Sequence, residues 1–306
     1  MILSPHIVYN YNIFTGDIII YMKKICYLFA FLLLISLLAA CANDTEELPV
    51  STASTVALPK DERKSETVSD GTLMYDIFKT YAEVIACSPD AEEVIVPPVM
   101  NGLPVMSIGK DAFAFNEYIK KVTLPDSITN VANYAFNKAA NLESINFPEN
   151  LISVGNYSFR GTKLDTIILP LSLTNIGKYA FAETLITTIK IPDNIVKMQD
   201  YIFYGCPNLV SFEFPITMHA IPKRMFYSCP ALTEVVIPDM ITEIDDYAFS
   251  TCQNLTSITI PSTVTKLGEG VFYNCTQITI KTPSGSAAQA YAEKYSVKYE
   301  TIEPVV

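Results

Sequence analysis

The sequence has no tryptophan, two histidines and only 17% charged residues among 306, and nowhere does it gather lysine and arginine into a patch. The missing basic patch, with a formal charge of −11 spread along the chain, argues against nucleic acid or an anionic bilayer as the main partner. Phosphate loops, zinc motifs and EF-hand spacing are missing too. Scarce histidine works against catalysis. His6 lies ahead of a signal segment, and His219, in FPITMHAIP, has no partner that the local pattern brings near it. His219 is therefore read as a surface or edge residue, and the acidic run Glu243, Asp245 and Asp246 as a solvated rim.

What is abundant is apolar: half of the chain, enough for one large domain or two small ones with a real core. The stretch MKKICYLFAFLLLISLLAAC, Met22 to Cys41, has a positive start at Lys23 and Lys24, an apolar run from Ile25 to Leu38, and Leu38-Ala39-Ala40-Cys41 at its end. It reads as a secretory signal peptide over 22–40, too short for a comfortable membrane span. Its last four residues resemble the lipobox of bacterial lipoproteins, which implies lipidation of Cys41. Two acyl chains suffice for stable anchoring, since each buried methylene contributes about 0.8 kcal/mol. Residues 1–21 precede a complete signal with its own methionine and read as a start assigned too early. From 41 to 70 the chain reads as the lipidated cysteine followed by a disordered tether, rich in Ser, Thr and charge with no apolar period.

Beyond the tether the sequence repeats. VTLP ends at Pro125, INFP at Pro148, IILP at Pro170, IKIP at Pro192, FEFP at Pro215, VVIP at Pro238 and ITIP at Pro261, in steps of 22 or 23 residues. A phenylalanine column keeps the same step from Phe113 through Phe136, Phe159, Phe181, Phe203, Phe226 and Phe249 to Phe272, giving eight repeats. A unit this short cannot bury its own apolar face, so the units must stack into a solenoid. Within each, an alternating segment such as LTSITIP (Leu255 to Pro261) predicts a short strand, parallel to its neighbours and ended by a proline that has no N–H to give.

The shared pattern, roughly L-x-x-I-x-I-P-x-x-V/I-x-x-I-G-x-Y-A-F-x-x-C-x-N, resembles the leucine-rich repeats of the BspA-like, or treponemal, type found on bacterial surfaces. The resemblance covers about Gly71 to Val306. It implies a leucine-rich-repeat solenoid, predominantly β with little helix: an N-terminal cap over 71–107, repeats over 108–280 and a C-terminal cap over 281–306. In that last cap Ser286 is expected to N-cap a short helix at about Ala287 to Tyr295.

Three columns carry whatever chemistry there is. The cysteines Cys206, Cys229, Cys252 and Cys275 recur every 23 residues. The outer two would stand roughly 14 Å apart, too far to share one zinc. A buried structural column is the favoured reading, with adjacent disulfides or metal as alternatives. Tyr134, Tyr157, Tyr179, Tyr201 and Tyr247, interrupted by Arg224, form an aromatic edge that either binds a ligand or simply packs along the solenoid. The outward strand position, two before each proline, holds Thr123, Asn146, Ile168, Lys190, Glu213, Val236 and Thr259. These vary while the flanking apolar columns do not, as in a recognition face on a fixed scaffold.

No cofactor and no catalytic residue follows from these patterns. The expectation is a non-enzymatic, secreted, lipid-anchored protein of the bacterial cell surface or outer membrane, binding a protein or glycan. The resemblance further implies adhesion, to matrix proteins such as fibronectin and fibrinogen or to other cells. Alternatives are a structural or envelope-assembly module and, less favoured, a glycan-acting enzyme, which would need a carboxylate pair where Glu213 stands alone.

Overall fold

The computed structural model describes residues 64–303. The expected start, signal peptide, lipidated Cys41 and most of the tether lie outside the described residues. Among those described, no helix is long and apolar enough to cross a membrane.

The chain winds as a β-solenoid of about ten turns. Most turns lay down two short parallel strands and one loop, so the stack has three sides. A first ladder runs through the proline-ended strands, including Lys121–Thr123, Thr188–Lys190, Ser211–Glu213 and Ser257–Thr259. A second runs through two-residue strands such as Asn130–Val131, Ser153–Val154, Asn175–Ile176 and Lys197–Met198, each pairing in parallel with the next. Between the ladders every repeat proline accepts, on its carbonyl, the N–H three residues on, as Leu151 gives to Pro148 at 3.0 Å and Ile241 to Pro238 at 3.0 Å. Proline thus ends the strand and starts the corner in one residue.

The third side carries the phenylalanines. Phe113, Phe136, Phe159, Phe181, Phe203, Phe226, Phe249 and Phe272 are all buried, and successive rings stack with centroids 4.7–6.1 Å apart. Each such contact contributes about 0.5–1.5 kcal/mol beyond the area it buries. The loop around each ring alternates its donors. The N–H groups of Tyr134, Phe136 and Lys138 reach forward to the carbonyls of Asn156, Ser158 and Arg160 at 2.7–2.8 Å. Those of Ala135, Asn137 and Ala139 turn back within their own loop. This alternation requires left-handed backbone twice per turn, at Tyr134 (φ 62°) and Lys138 (φ 59°) and at the matching positions of other turns. In the second of these columns, Phe115, Lys138, Gly161, Glu183, Gly205, Ser228, Thr251 and Asn274, only two residues are glycine. Bonds to the next turn impose the conformation where glycine would merely permit it.

Both ends are closed, and one expectation is corrected there. Glu66–Ser69, placed in the tether by composition, is a strand paired antiparallel to Leu73–Ile77, which pairs in turn with Ala82–Cys87. The cause is local: Asp70 accepts from the N–H groups of Thr72 and Leu73 and from the Tyr75 hydroxyl, fixing the hairpin turn, and Val68 packs on the core. Ala82–Cys87 then pairs in parallel with Leu103–Ile108, so the stack already begins inside the N-terminal cap. At the other end the helix Ala287–Tyr295 starts at Ser286, whose hydroxyl accepts from Gln289 N–H at 3.1 Å. Its Ala288, Tyr291 and Ala292 are buried, and Tyr291 meets the last ring of the column, Phe272, edge-on.

Candidate functional site

The outward strand column is on the surface. Thr123, Asn146, Ile168, Lys190, Glu213 and Val236 are exposed and Thr259 is half-buried, while the residues alternating with them, such as Val122, Leu124, Ile167, Leu169, Ile189 and Ile191, are buried. Strand register sets Lys190 beside Glu213 and Val236 beside Thr259. Lys190 and Glu213 form an ion pair of 3.1 Å with side chains 77% and 69% exposed, so water screens it and it contributes little to stability. Ile168 (80% exposed) and Val236 (62%) present apolar side chains to solvent. Asn146 does otherwise. Its amide accepts from Leu124 N–H at 2.7 Å and donates to Leu124 carbonyl at 2.8 Å, standing in for ladder bonds.

The column is longer than the seven repeat prolines indicate. Ile95 (78% exposed) stands beside Thr123, and beyond Thr259 come Lys281 and Glu300. The signal for two of these was present, since Ile95 and Lys281 also stand two before a proline, Pro97 and Pro283.

The tyrosines form one stack. Ring centroids of Tyr134, Tyr157, Tyr179 and Tyr201 follow one another at 4.9, 4.7 and 4.3 Å, nearly parallel. Arg224 continues the column between Tyr201 and Tyr247. Within the stack their faces cover one another, which leaves mainly ring edges and hydroxyls for solvent rather than open faces on which a sugar or base could lie. Burial and the neighbouring phenols of Tyr201 and Tyr157 push the Tyr179 hydroxyl up to about 12. Beside the stack, Glu183 accepts from Lys138 and, at 2.7 and 3.1 Å, from Arg160. Burial opposes ionisation of Glu183, but these two cations hold its carboxyl below the usual range.

The four repeating cysteines are buried free thiols. Each donates to the carbonyl of the preceding turn's phenylalanine: Cys206 to Phe181, Cys229 to Phe203, Cys252 to Phe226 and Cys275 to Phe249, at 3.1–3.2 Å. Thr162 and Thr184 give their hydroxyls to Phe159 and Phe181 in the turns before the cysteines begin. Burial lifts the thiols of Cys206 and Cys275 to about 11 and that of Cys252 to about 12. His219 is exposed, with Nδ1 3.2 Å from the Met240 carbonyl. Two of the acidic run are ion-paired, Glu243 with Lys266 and Asp246 with Lys223 at 3.1 Å, and Asp245 accepts from Asp246 N–H at 3.1 Å. Among the described residues no three His, Cys, Asp or Glu side chains group so as to hold a metal ion.

No curated protein is significantly similar in sequence. Among solved structures, a leucine-rich repeat protein from Bacteroides ovatus is 22% identical, with a TM-score of 0.58 over 70% of this chain and 70% of that one. The leucine-rich repeat protein of T. pallidum is 19% identical, with a TM-score of 0.54 over 79% of this chain and 100% of that one. At these identities the likeness is one of fold. The profile described as BspA type leucine rich repeat region matches six copies, over residues 106–230 and 219–297. With most of its length so matched and its strands, corners and phenylalanine side repeating in that register, the chain belongs to the BspA type leucine-rich repeat family.

Proposed function

We propose that this is a non-enzymatic surface lipoprotein whose solenoid binds a protein or glycan through the outward strand column, in adhesion to host matrix or to other cells. One observation carries the reading: side chains that differ from turn to turn stand in one largely exposed row, between apolar rows that are buried or half-buried. Ile95, Ile168 and Val236 supply exposed apolar area, and Lys190, Glu213 and Thr123 supply polar groups between them. Seven rungs extend on the order of 30 Å, enough with flanking positions for a contact of about 800 Å² per partner. The stacked tyrosines are the weaker surface, because their faces are already occupied. Anchoring at Cys41 rests on the signal and Leu38-Ala39-Ala40-Cys41 alone.

The test is capture of matrix proteins and glycans by the purified protein, followed by Ile168→Glu with Val236→Glu. Loss of capture with an unchanged melting temperature supports the strand column. Unchanged capture moves the site elsewhere, and a native protein that captures neither class removes the adhesive reading. For the anchor, Cys41→Ser should release the protein from the membrane fraction and end incorporation of labelled fatty acid.

A further inference from the structure

Among the described residues, both ladders are interrupted around one short segment. The second ladder stops at Lys197–Met198 and resumes at Ala220–Ile221, and the first stops at Ser211–Glu213 and resumes at Glu234–Val236. Ser211–Glu213 pairs back to Thr188–Lys190, whereas Ala220–Ile221 pairs forward to Glu243–Ile244. The segment 211–221 therefore belongs half to each stack. The first ladder has another gap, after Ser144–Ile145, but there the second ladder runs on without a break through Ser153–Val154, Asn175–Ile176 and Lys197–Met198.

The sequence explains both interruptions. In the turns before and after, the N–H groups of Ala132, Gly155, Gly177, Gln199, Asp245 and Gly268 each reach a carbonyl of the preceding turn at 2.8–3.1 Å. The matching residue is Pro222, which has no N–H. A cleft of about 320 Å³ opens there between Val196 and Met198 on one wall and His219 and Ala220 on the other. In the first ladder, Phe212 and Phe214 stand where the next strand has Val235 and Ile237. The two rings meet edge-on at 4.8 Å and remain half-buried, beside a cavity of about 100 Å³ lined in part by Phe226, Leu232 and Val235. Two aromatic rings in one turn wedge it away from the next. The third side stays fastened: Tyr201, Phe203 and Gly205 donate to Lys223, Met225 and Tyr227 at 2.8–3.1 Å.

We propose that the solenoid is two stiff stacks joined by a hinge, with the bonded loops 201–205 and 223–227 as pivot and 211–221 as the connecting strap. Opening and closing changes the curvature of the outward column between Glu213 and Val236. A partner that prefers one curvature selects it, and stiffening the hinge in that shape raises affinity.

The test places nitroxide labels on keto amino acids introduced at Glu149 and Asp239, exposed corner positions four turns apart, and measures their distance distribution by pulsed electron resonance on the full chain. Native protein is expected to give a broad distribution extending beyond about 19 Å, the spacing of four unbroken rungs. Pro222→Gln restores the donor that Gln199 supplies one turn earlier, and Phe212→Val with Phe214→Ile copies the following strand. The triple variant should give one narrow peak near that spacing, and Pro222→Gln alone, which disturbs packing least, should narrow the native distribution. A native distribution that is already narrow, or folded variants as broad as the native chain, would overturn the proposal.

Discussion

The guanidinium carbon of Arg224 lies 4.8 Å from the ring centroid of Tyr247, and one of its nitrogens donates to the Tyr201 hydroxyl at 2.7 Å. A charged plane thus fills the slot that a phenol fills in the turns before it, while its buried Nε has no hydrogen-bond partner. Arg224→Ala should lower unfolding free energy by about 1–2 kcal/mol, from lost cation–π contact and one hydrogen bond. Arg224→Tyr, which extends the phenol stack and removes the unmatched Nε, should cost under about 0.5 kcal/mol. Urea unfolding of both variants checks this, and an equal loss in the two would show that stacking is not what Arg224 supplies.

Asn146 and Thr123 share the outward column yet should behave differently. Asn146→Ala removes two hydrogen bonds to the Leu124 backbone, for a loss of about 1–3 kcal/mol. Thr123→Ala, on an exposed face, should stay within about 0.5 kcal/mol of the native value. Equal stabilities would mean that Asn146 is not part of the scaffold.

Gly177 faces the turn behind it so closely that an added Cβ would sit 2.5 Å from the Asn156 backbone nitrogen. Gly177→Ala should therefore push two turns apart and lower stability by about 1–3 kcal/mol. Gly102, with nothing within 4 Å of such a Cβ, isolates the backbone cost at φ +78°. Gly102→Ala should cost about 1 kcal/mol. Thermal melts rank the two.

The thiol column makes stability fall in alkali. Burial holds the folded thiol of Cys206 at about 11, against 9.0 when open, so between these values the native chain keeps a proton that the unfolded chain has lost. Its contribution is complete below pH 9 and disappears as pH rises through 11, on the order of 2 kcal/mol for this thiol. Denaturant midpoints at pH 8, 10 and 11 should decline, and Cys206→Ala should shallow the decline. A variant that declines as steeply as the native chain would exclude the thiol as the source.

Periodicity made the solenoid, the eight phenylalanines and the outward column legible, because each repeats a residue type at fixed spacing. The Ser286-capped helix was legible from its cap residue together with the tail's resemblance to the family's C-terminal cap. What the sequence concealed depends on neighbours in space. Left-handed backbone at Lys138 and Glu183 carries no glycine signature, since forward hydrogen bonds hold it. Strand Glu66–Ser69 reads as tether because a four-residue polar strand gains its order from a hairpin partner. Asn146 looks like any exposed polar residue until its amide is seen bonded to Leu124. Pro222 was visible as a second proline in FPITMHAIP, but its effect follows only from knowing that its counterparts donate across the ladder.

Because the third side of each turn takes its conformation from the turn ahead, an isolated repeat has no reason to adopt it. Order needs at least two turns in register, and the Asp70 hairpin and the Ser286 helix are the two places where local hydrogen bonds supply some of it without a neighbouring turn. The caps are in that sense the parts of the chain least dependent on the stack, while every repeat between them depends on the one that follows.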